Sequence, residues 1–204
     1  MNTQRRSCRR LACVGVSAYG YTIVELMMAI AVFGIGVSGI IAMQKVAAAA
    51  NQHSRALSLA TNIGQAWQDQ LNIDSSLYTR TTGLMNTVWL SQLAGGNNQA
   101  GWFRPAYSTN LGIGAAFDAL GRPLQDTTAS LANSQFCVHV RLTRLYPTTA
   151  EIDVVRTEVR VIWPRTEGTV ASGFCDPNAN IASIAADSAN YHSLYQVSAV
   201  RQQP

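Results

Sequence analysis

From Tyr21 to Met43 the chain is apolar at almost every position, with Thr22, Glu25 and Ser38 the exceptions. As a helix rising about 1.5 Å per residue, this stretch would extend roughly 35 Å, enough to cross the hydrocarbon core of a bilayer. The apolar region of an ordinary secretory signal is shorter, about 7–15 residues. The run therefore predicts a membrane-spanning helix over 21–43. Arg5, Arg6, Arg9 and Arg10 precede it without an accompanying acid, and Lys45 is the one positive charge close to its far end. The positive-inside rule keeps such an N-terminus in the cytoplasm and sends the C-terminus outward, into the periplasm of a Gram-negative cell.

Glu25 is the residue that needs a reason. A carboxylate at a helix centre costs about 2.5–3.5 kcal/mol on insertion scales, and less near the edge. If the chain were cut after Gly20, Tyr21 would carry a free amine. Glu25 would then be its i+4 neighbour, one turn away, and near the positive end of its own helix dipole.

The segment Gly20-Tyr21-Thr22-Ile23-Val24-Glu25, behind a basic leader and ahead of a long apolar helix, resembles the N-terminus of type IV prepilins. The family pattern has Phe where this chain has Tyr21. Gly34-Ile35-Gly36-Val37-Ser38-Gly39 with Gln44 is similar to a stretch of PilV-like minor pilins, and Ala42 stands where many major pilins carry proline. Small pseudopilins of type II secretion share much of this pattern. The resemblance covers about residues 18–70. It implies cleavage between Gly20 and Tyr21 by a prepilin peptidase and N-methylation of Tyr21. It further implies an assembly role for Glu25, whose carboxylate a neighbouring subunit's amine can neutralise. The implied partners are major and minor pilins, met through the N-terminal helix, the assembly platform and the membrane. The implied locations are the inner membrane before assembly and a surface pilus or periplasmic pseudopilus afterwards. Three segments follow: a leader 1–20, a helix 21–73 and a head 74–204.

The whole chain has 15 basic and 11 acidic residues. Without the leader's arginines the basic count falls to that of the acids, so the high isoelectric point belongs to the removable segment and argues for no nucleic-acid partner. Cysteines divide the same way. Cys8 and Cys13 lie in the leader, whereas Cys137 and Cys175 remain in the exported head. An even pair in an oxidising compartment reads as a disulfide, with two buried free thiols as the alternative; the resemblance favours the bond.

Val46 to Ile73 contains no proline and is rich in helix formers. Leu57, Ala60, Ile63, Trp67 and Leu71 recur at three- and four-residue steps, predicting one buried stripe, with Gln52, Arg55, Gln65 and Asp69 mostly off it. Gly34, Gly36, Gly39 and Gly64 are expected to soften the helix. Asp74-Ser75-Ser76 should end it. Residues 74–133 are polar, with a loop at Gly95-Gly96-Asn97-Asn98, a short helix over 84–93 and a strand end and turn at 117–123. Alternation over 136–143, 155–163 and 194–200 predicts three strands, the first two paired antiparallel around a turn at Tyr146–Thr149. A loop carrying Cys175 is expected over 168–191. The expected fold class is α+β: a long N-terminal helix packed on a C-terminal antiparallel sheet, of the type IV pilin-like kind.

Several other features read as structural. Arg141, Arg144, Arg156 and Arg160 interleave with Glu151, Asp153 and Glu158, predicting a solvated sheet face. Asp176-Pro177-Asn178-Ala179-Asn180 spaces oxygens as calcium loops do, but Ile181 occupies the glycine position and Asp187 the final glutamate position. His53, His139 and His192 stand isolated, and surface placement is expected for His53 and His139. No hydrolase elbow, zinc-protease motif or phosphate loop occurs, so no enzyme activity, cofactor, metal or small-molecule substrate is expected. The rival reading uses Ala47-Ala48-Ala49 as a signal-peptidase site releasing a soluble exported protein.

Overall fold

The computed structural model describes residues 20–93, 99–145, 153–165 and 173–204. The leader arginines, Cys8, Cys13, the 95–98 loop, the 146–149 turn and Glu151 lie outside them. The chain divides into two compact units, Met1–Ala50 and Asn51–Pro204.

Helix α1 runs over Ile23–Ser75. In the first unit its residues are exposed apart from half-buried Val37. This one helix among the described residues is long and apolar enough to cross a membrane. Gly34, Gly36 and Gly39 each face open space.

The second unit packs the remainder of α1 on one face of a four-stranded antiparallel sheet, ordered β1-β2-β3-β4. Its strands are β1 (Ala116–Phe117), β2 (Phe136–Arg144), β3 (Val154–Pro164) and β4 (Tyr191–Arg201). Thus the α+β architecture, a long N-terminal helix followed by an antiparallel sheet, is the one expected, and it is consistent with a pilin-like fold. The two central strands pair Val138 with Val161 and Val140 with Val159. These valines, with Leu142 and Val155, face the helix stripe Ala60, Ile63, Trp67 and Leu71, all buried. Leu57 is 41% exposed and off the stripe, while Ala56 and Leu59 pack beside it. The 3.6-residue period favours 56, 60, 63, 67 and 71 over a line that includes 57.

Gly64 answers to packing. A Cβ there would come within 2.7 Å of the Gln196 side-chain amide. That amide donates to the Thr61 carbonyl at 3.2 Å, Gln68 donates to the Gln196 carbonyl at 3.3 Å, and Thr157 donates to Gln68 at 3.0 Å. Burial of these polar groups is tolerable because each finds a partner.

The opposite sheet face carries a smaller core of Ala115, Ala116, Leu131, Cys137, Phe174 and Cys175. Coil residues cover β2's outer edge: Phe103 and Val140 exchange backbone hydrogen bonds at 2.9 Å, and Ala100 donates to Leu142 at 3.0 Å. Two short helices, α2 (Thr128–Leu131) and α3 (Ile181–Ala186), fall where loops were expected. Their caps explain them. The Thr127 hydroxyl accepts from Ser130 N–H, and Asn180 Oδ1 accepts from Ala182 and Ser183 N–H. Of the helix expected over 84–93, the structure forms a 3-10 turn at Leu90–Leu93. The turn after β1 is as expected: Asp118 Oδ1 accepts from Leu120 and Arg122 N–H, and Gly121 takes a φ of 76°.

Asp74 does more than end α1. Its buried carboxylate accepts from the N–H groups of Val88, Trp89 and Leu90 at 2.7, 2.9 and 3.0 Å. It thereby ties the helix end to the segment that sets Trp89 edge-on against Trp67, with centroids 4.9 Å apart. Asp74→Ala should leave these donors without their acceptor and lower unfolding free energy by about 3 kcal/mol. Urea unfolding of the detergent-solubilised protein checks this; a loss under about 1 kcal/mol would contradict the capping role.

Candidate functional site

The N-terminal segment is built from one local rule. Thr22 stands just before α1; its hydroxyl accepts from the Glu25 N–H at 3.3 Å and its carbonyl from Leu26 N–H at 3.2 Å. Thr22-Ile23-Val24-Glu25 therefore has the capping-box spacing, with Glu25 at the third helical position. Sequence reasoning passed over this signal, although Thr-x-x-Glu before an apolar run was in view. It gives Glu25 a local place in the first turn, where a carboxylate favours the helix dipole. Its side chain makes no hydrogen bond among the described residues and is exposed, as are Gly20 and Tyr21. Around it Ile23, Met27, Ile30 and Phe33 are 76%, 67%, 62% and 72% exposed. Such a surface marks a site of insertion or association.

In the head, Cys137 and Cys175 form a disulfide with Cα atoms 5.4 Å apart. It joins β2 to the segment ahead of α3. Arg104 supports that junction, donating from Nε to the Cys175 carbonyl at 2.9 Å and pairing with Asp126. Burial pushes the Asp126 carboxyl up, but Arg104 and the Tyr107 N–H outweigh it and hold the group below its ordinary value.

His139 is buried, against the expectation of a surface position. The strand phase that places Val138 and Val140 toward α1 places His139 on the opposite face, and the sequence does not reveal that this face is covered. Arg160 Nη2 lies 3.0 Å from His139 Nδ1. A guanidinium cannot accept, so Nδ1 accepts and the ring proton belongs on Nε2, 3.8 Å from Cys137 Sγ. Burial, then the charges of Arg160 and Arg104, lowers the His139 pKa to about 3.

The arginines form the expected solvated face only in part: Arg156 is exposed and Arg141 half-exposed. Arg160 is buried, with its guanidinium 4.3 Å from the Trp102 ring centroid and 5.9 Å from that of Tyr195. The Arg141 guanidinium also lies over the Trp102 ring, 4.8 Å from its centroid. Arg141 and Arg156 share the buried Glu158, and Arg144 lies 3.1 Å from Asp153. The Arg141 hydrogen bond, above all, holds Glu158 below its ordinary pKa. Aromatic faces here replace the counter-ions that a sequence reading looks for.

Nor are His53 and His192 isolated: their rings lie 4.8 Å apart, with Trp163 5.3 Å from His192. Pairing of α1 with β4 brings them together across a long sequence separation. His192 is held below its ordinary pKa by burial, then by Arg165 and His53. At the calcium-like loop, Asp176 Oδ1 accepts from Asn178 N–H and Asn180 caps α3, so both oxygens serve the backbone. No cluster of metal-ligating side chains occurs among the described residues.

No protein-family model, curated protein or solved structure matches the chain.

Between pH 6.5 and about 3 the unfolded chain binds a proton that folded His139 refuses. The stability that a neutral His139 contributes is therefore full above pH 6.5, falls as pH drops through that window, and is gone below it. The loss should be on the order of 5 kcal/mol. His139→Gln should be less stable at pH 7 yet show a flatter acid dependence, because it lacks the histidine's titration while Asp126 and Glu158 titrate in both proteins. Urea unfolding at several pH values checks this; identical slopes would contradict it. Reduction of the Cys137–Cys175 bond should remove about 4 kcal/mol by the loop-entropy estimate, read from the same assay with and without reductant.

Proposed function

We propose that the chain is a minor pilin of a type IV pilus, inserted N-in, cut between Gly20 and Tyr21 and added to a filament through its N-terminal helix. The observation that carries this reading is Glu25: an exposed carboxylate in the first turn of an uncovered apolar helix, five residues after Gly20. After cleavage the Tyr21 amine and Glu25 carry opposite charges one turn apart. In a bundle of such helices, a neighbour's amine can meet the same carboxylate, which sets the axial register of each added subunit. The exposed apolar surface then passes from lipid to neighbouring helices without entering water. Gly34, Gly36 and Gly39, facing open space, permit close helix approach. A pseudopilin of type II secretion would share this architecture and differ in the filament it joins; co-purification with pilus or secretion components separates the two.

The rival cut near Ala49 fits less well. Ala47, Ala48 and Ala49 lie inside α1, whereas signal peptidases read extended backbone.

N-terminal analysis of the mature protein should find N-methylated Tyr21; a start near Ala50 would refute the reading. Glu25→Ala should leave cleavage intact and reduce the subunit's amount in sheared filaments at least tenfold. Normal incorporation would show that Glu25 has no part in assembly.

A further inference from the structure

One turn ahead of Ala56, the first stripe residue packed on the core, α1 carries His53. The steps through 53, 56, 60, 63, 67 and 71 are all of three or four residues, so His53 lies on the helix face that meets the sheet. On the sheet, His192 pairs with Trp163 and shares strand parity with Leu194 and Val200, both part of the core under α1. The helix face and the strand face therefore end in the same residue type. The two rings lie 4.8 Å apart between centroids, tilted by 49°. Trp163 lies 5.3 Å from His192 and bounds it on one side. His53 is exposed and His192 half-buried, so the pair is open to water.

An apolar pair would close this end of the core as the residues behind it do. Two imidazoles offer nitrogen donors there, and imidazole is the side chain that zinc, copper and nickel ions select. A metal about 2.0–2.1 Å from one nitrogen of each ring sets the centroids about 4.5 Å apart at square angles and about 5.2 Å apart at tetrahedral ones. The observed 4.8 Å falls between these values. Calcium and magnesium prefer oxygen ligands and are disfavoured by this donor set. The charge of Arg165 acts on His192 and opposes a cation, but its Nε is drawn off by donating to the Ser188 carbonyl at 2.7 Å.

We infer that His53 and His192 together hold one divalent late transition-metal ion, Cu²⁺ most tightly and Zn²⁺ or Ni²⁺ less so, with water completing its coordination. Two protein ligands are fewer than the three or four of resident zinc centres, so the ion exchanges with solution and the fold does not require it. One ligand comes from α1 and the other from β4. A bound ion therefore bridges helix and sheet at the end of their interface that comes first along the helix, where peeling of α1 from the sheet would begin. Binding to the folded chain alone stabilises it by mass action. The inference stands whether or not the pilin reading does.

The test uses the full chain in detergent, without a histidine tag and with Cys8 and Cys13 changed to serine so that leader thiols take up no metal. Calorimetric titration with Zn²⁺ should show one site per chain with a Kd below about 100 µM, and Ca²⁺ should show none. His53→Gln and His192→Gln should each weaken Zn²⁺ binding at least tenfold, with far-ultraviolet dichroism and the Cys137–Cys175 bond unchanged. His53 is exposed, so its variant keeps the test open should His192→Gln fail to fold. The thermal midpoint of the parent should rise with Zn²⁺, and that of either variant should not. Absence of saturable Zn²⁺ binding, Ca²⁺ binding as tight as that of Zn²⁺, or undiminished Zn²⁺ binding by either variant overturns the proposal. A parent midpoint that saturating Zn²⁺ leaves unmoved overturns it as well, because an ion bridging two elements must raise it.

Discussion

Residues 23 to 43 present mostly apolar side chains on the outside of a helix, and the first turn and the amphipathic half that follows both answer to that exposure. At about 25 cal/mol per Å² of apolar surface, a helix of this kind is far too costly to leave in water. Lipid or neighbouring helices would relieve that cost. Backbone polarity is no obstacle, because a helix satisfies its own donors and acceptors. The remaining demand falls on the first turn, where unpaired N–H groups meet the edge of the apolar zone. Thr22 satisfies one of them, and Glu25 brings a charge to a place where the helix dipole favours it. The acid is thus tolerated locally before any partner arrives.

The same helix must be wet-compatible further on, and its sequence changes accordingly. From residue 56 the apolar positions narrow to one stripe, and the sheet supplies the cover. A row of polar groups, Thr61, Gln68, Thr157 and Gln196, crosses that interface with each amide occupied. Such a row adds little net stability, since each bond replaces one to water. It does penalise sliding: moving α1 by one turn would leave the Gln196 amide against a side chain where it now meets Gly64. Fixed register of helix on sheet matters if forces on the helix are to reach the head.

Legibility followed the physics of each element. Strict alternation over 136–143 and 155–163 identified β2 and β3, and the stripe through Ala60, Ile63, Trp67 and Leu71 identified the buried face, because both signals are periodic and local. The two cysteines were paired by compartment and number. What escaped was non-local. His139 alternates correctly, yet only the tertiary cover over its face makes it buried. His53 and His192 meet through the α1–β4 packing, and Asp74 caps a segment fourteen residues on. Glu25's capping spacing, by contrast, is local and legible as Thr22-x-x-Glu25 ahead of the apolar run.

The outer sheet face shows how a small head can carry many arginines without acidic partners for all of them. Glu158 serves both Arg141 and Arg156, while Arg160 lies against Trp102 and a neutral histidine. Keeping His139 neutral is part of the arrangement, since a protonated ring would place a second positive charge 3.0 Å from the guanidinium. The disulfide fixes the covering segment from one side and Arg104 from the other. Trp102 lies over Arg141 and Arg160, and Arg160 lies beside the Tyr195 ring on the outer strand β4.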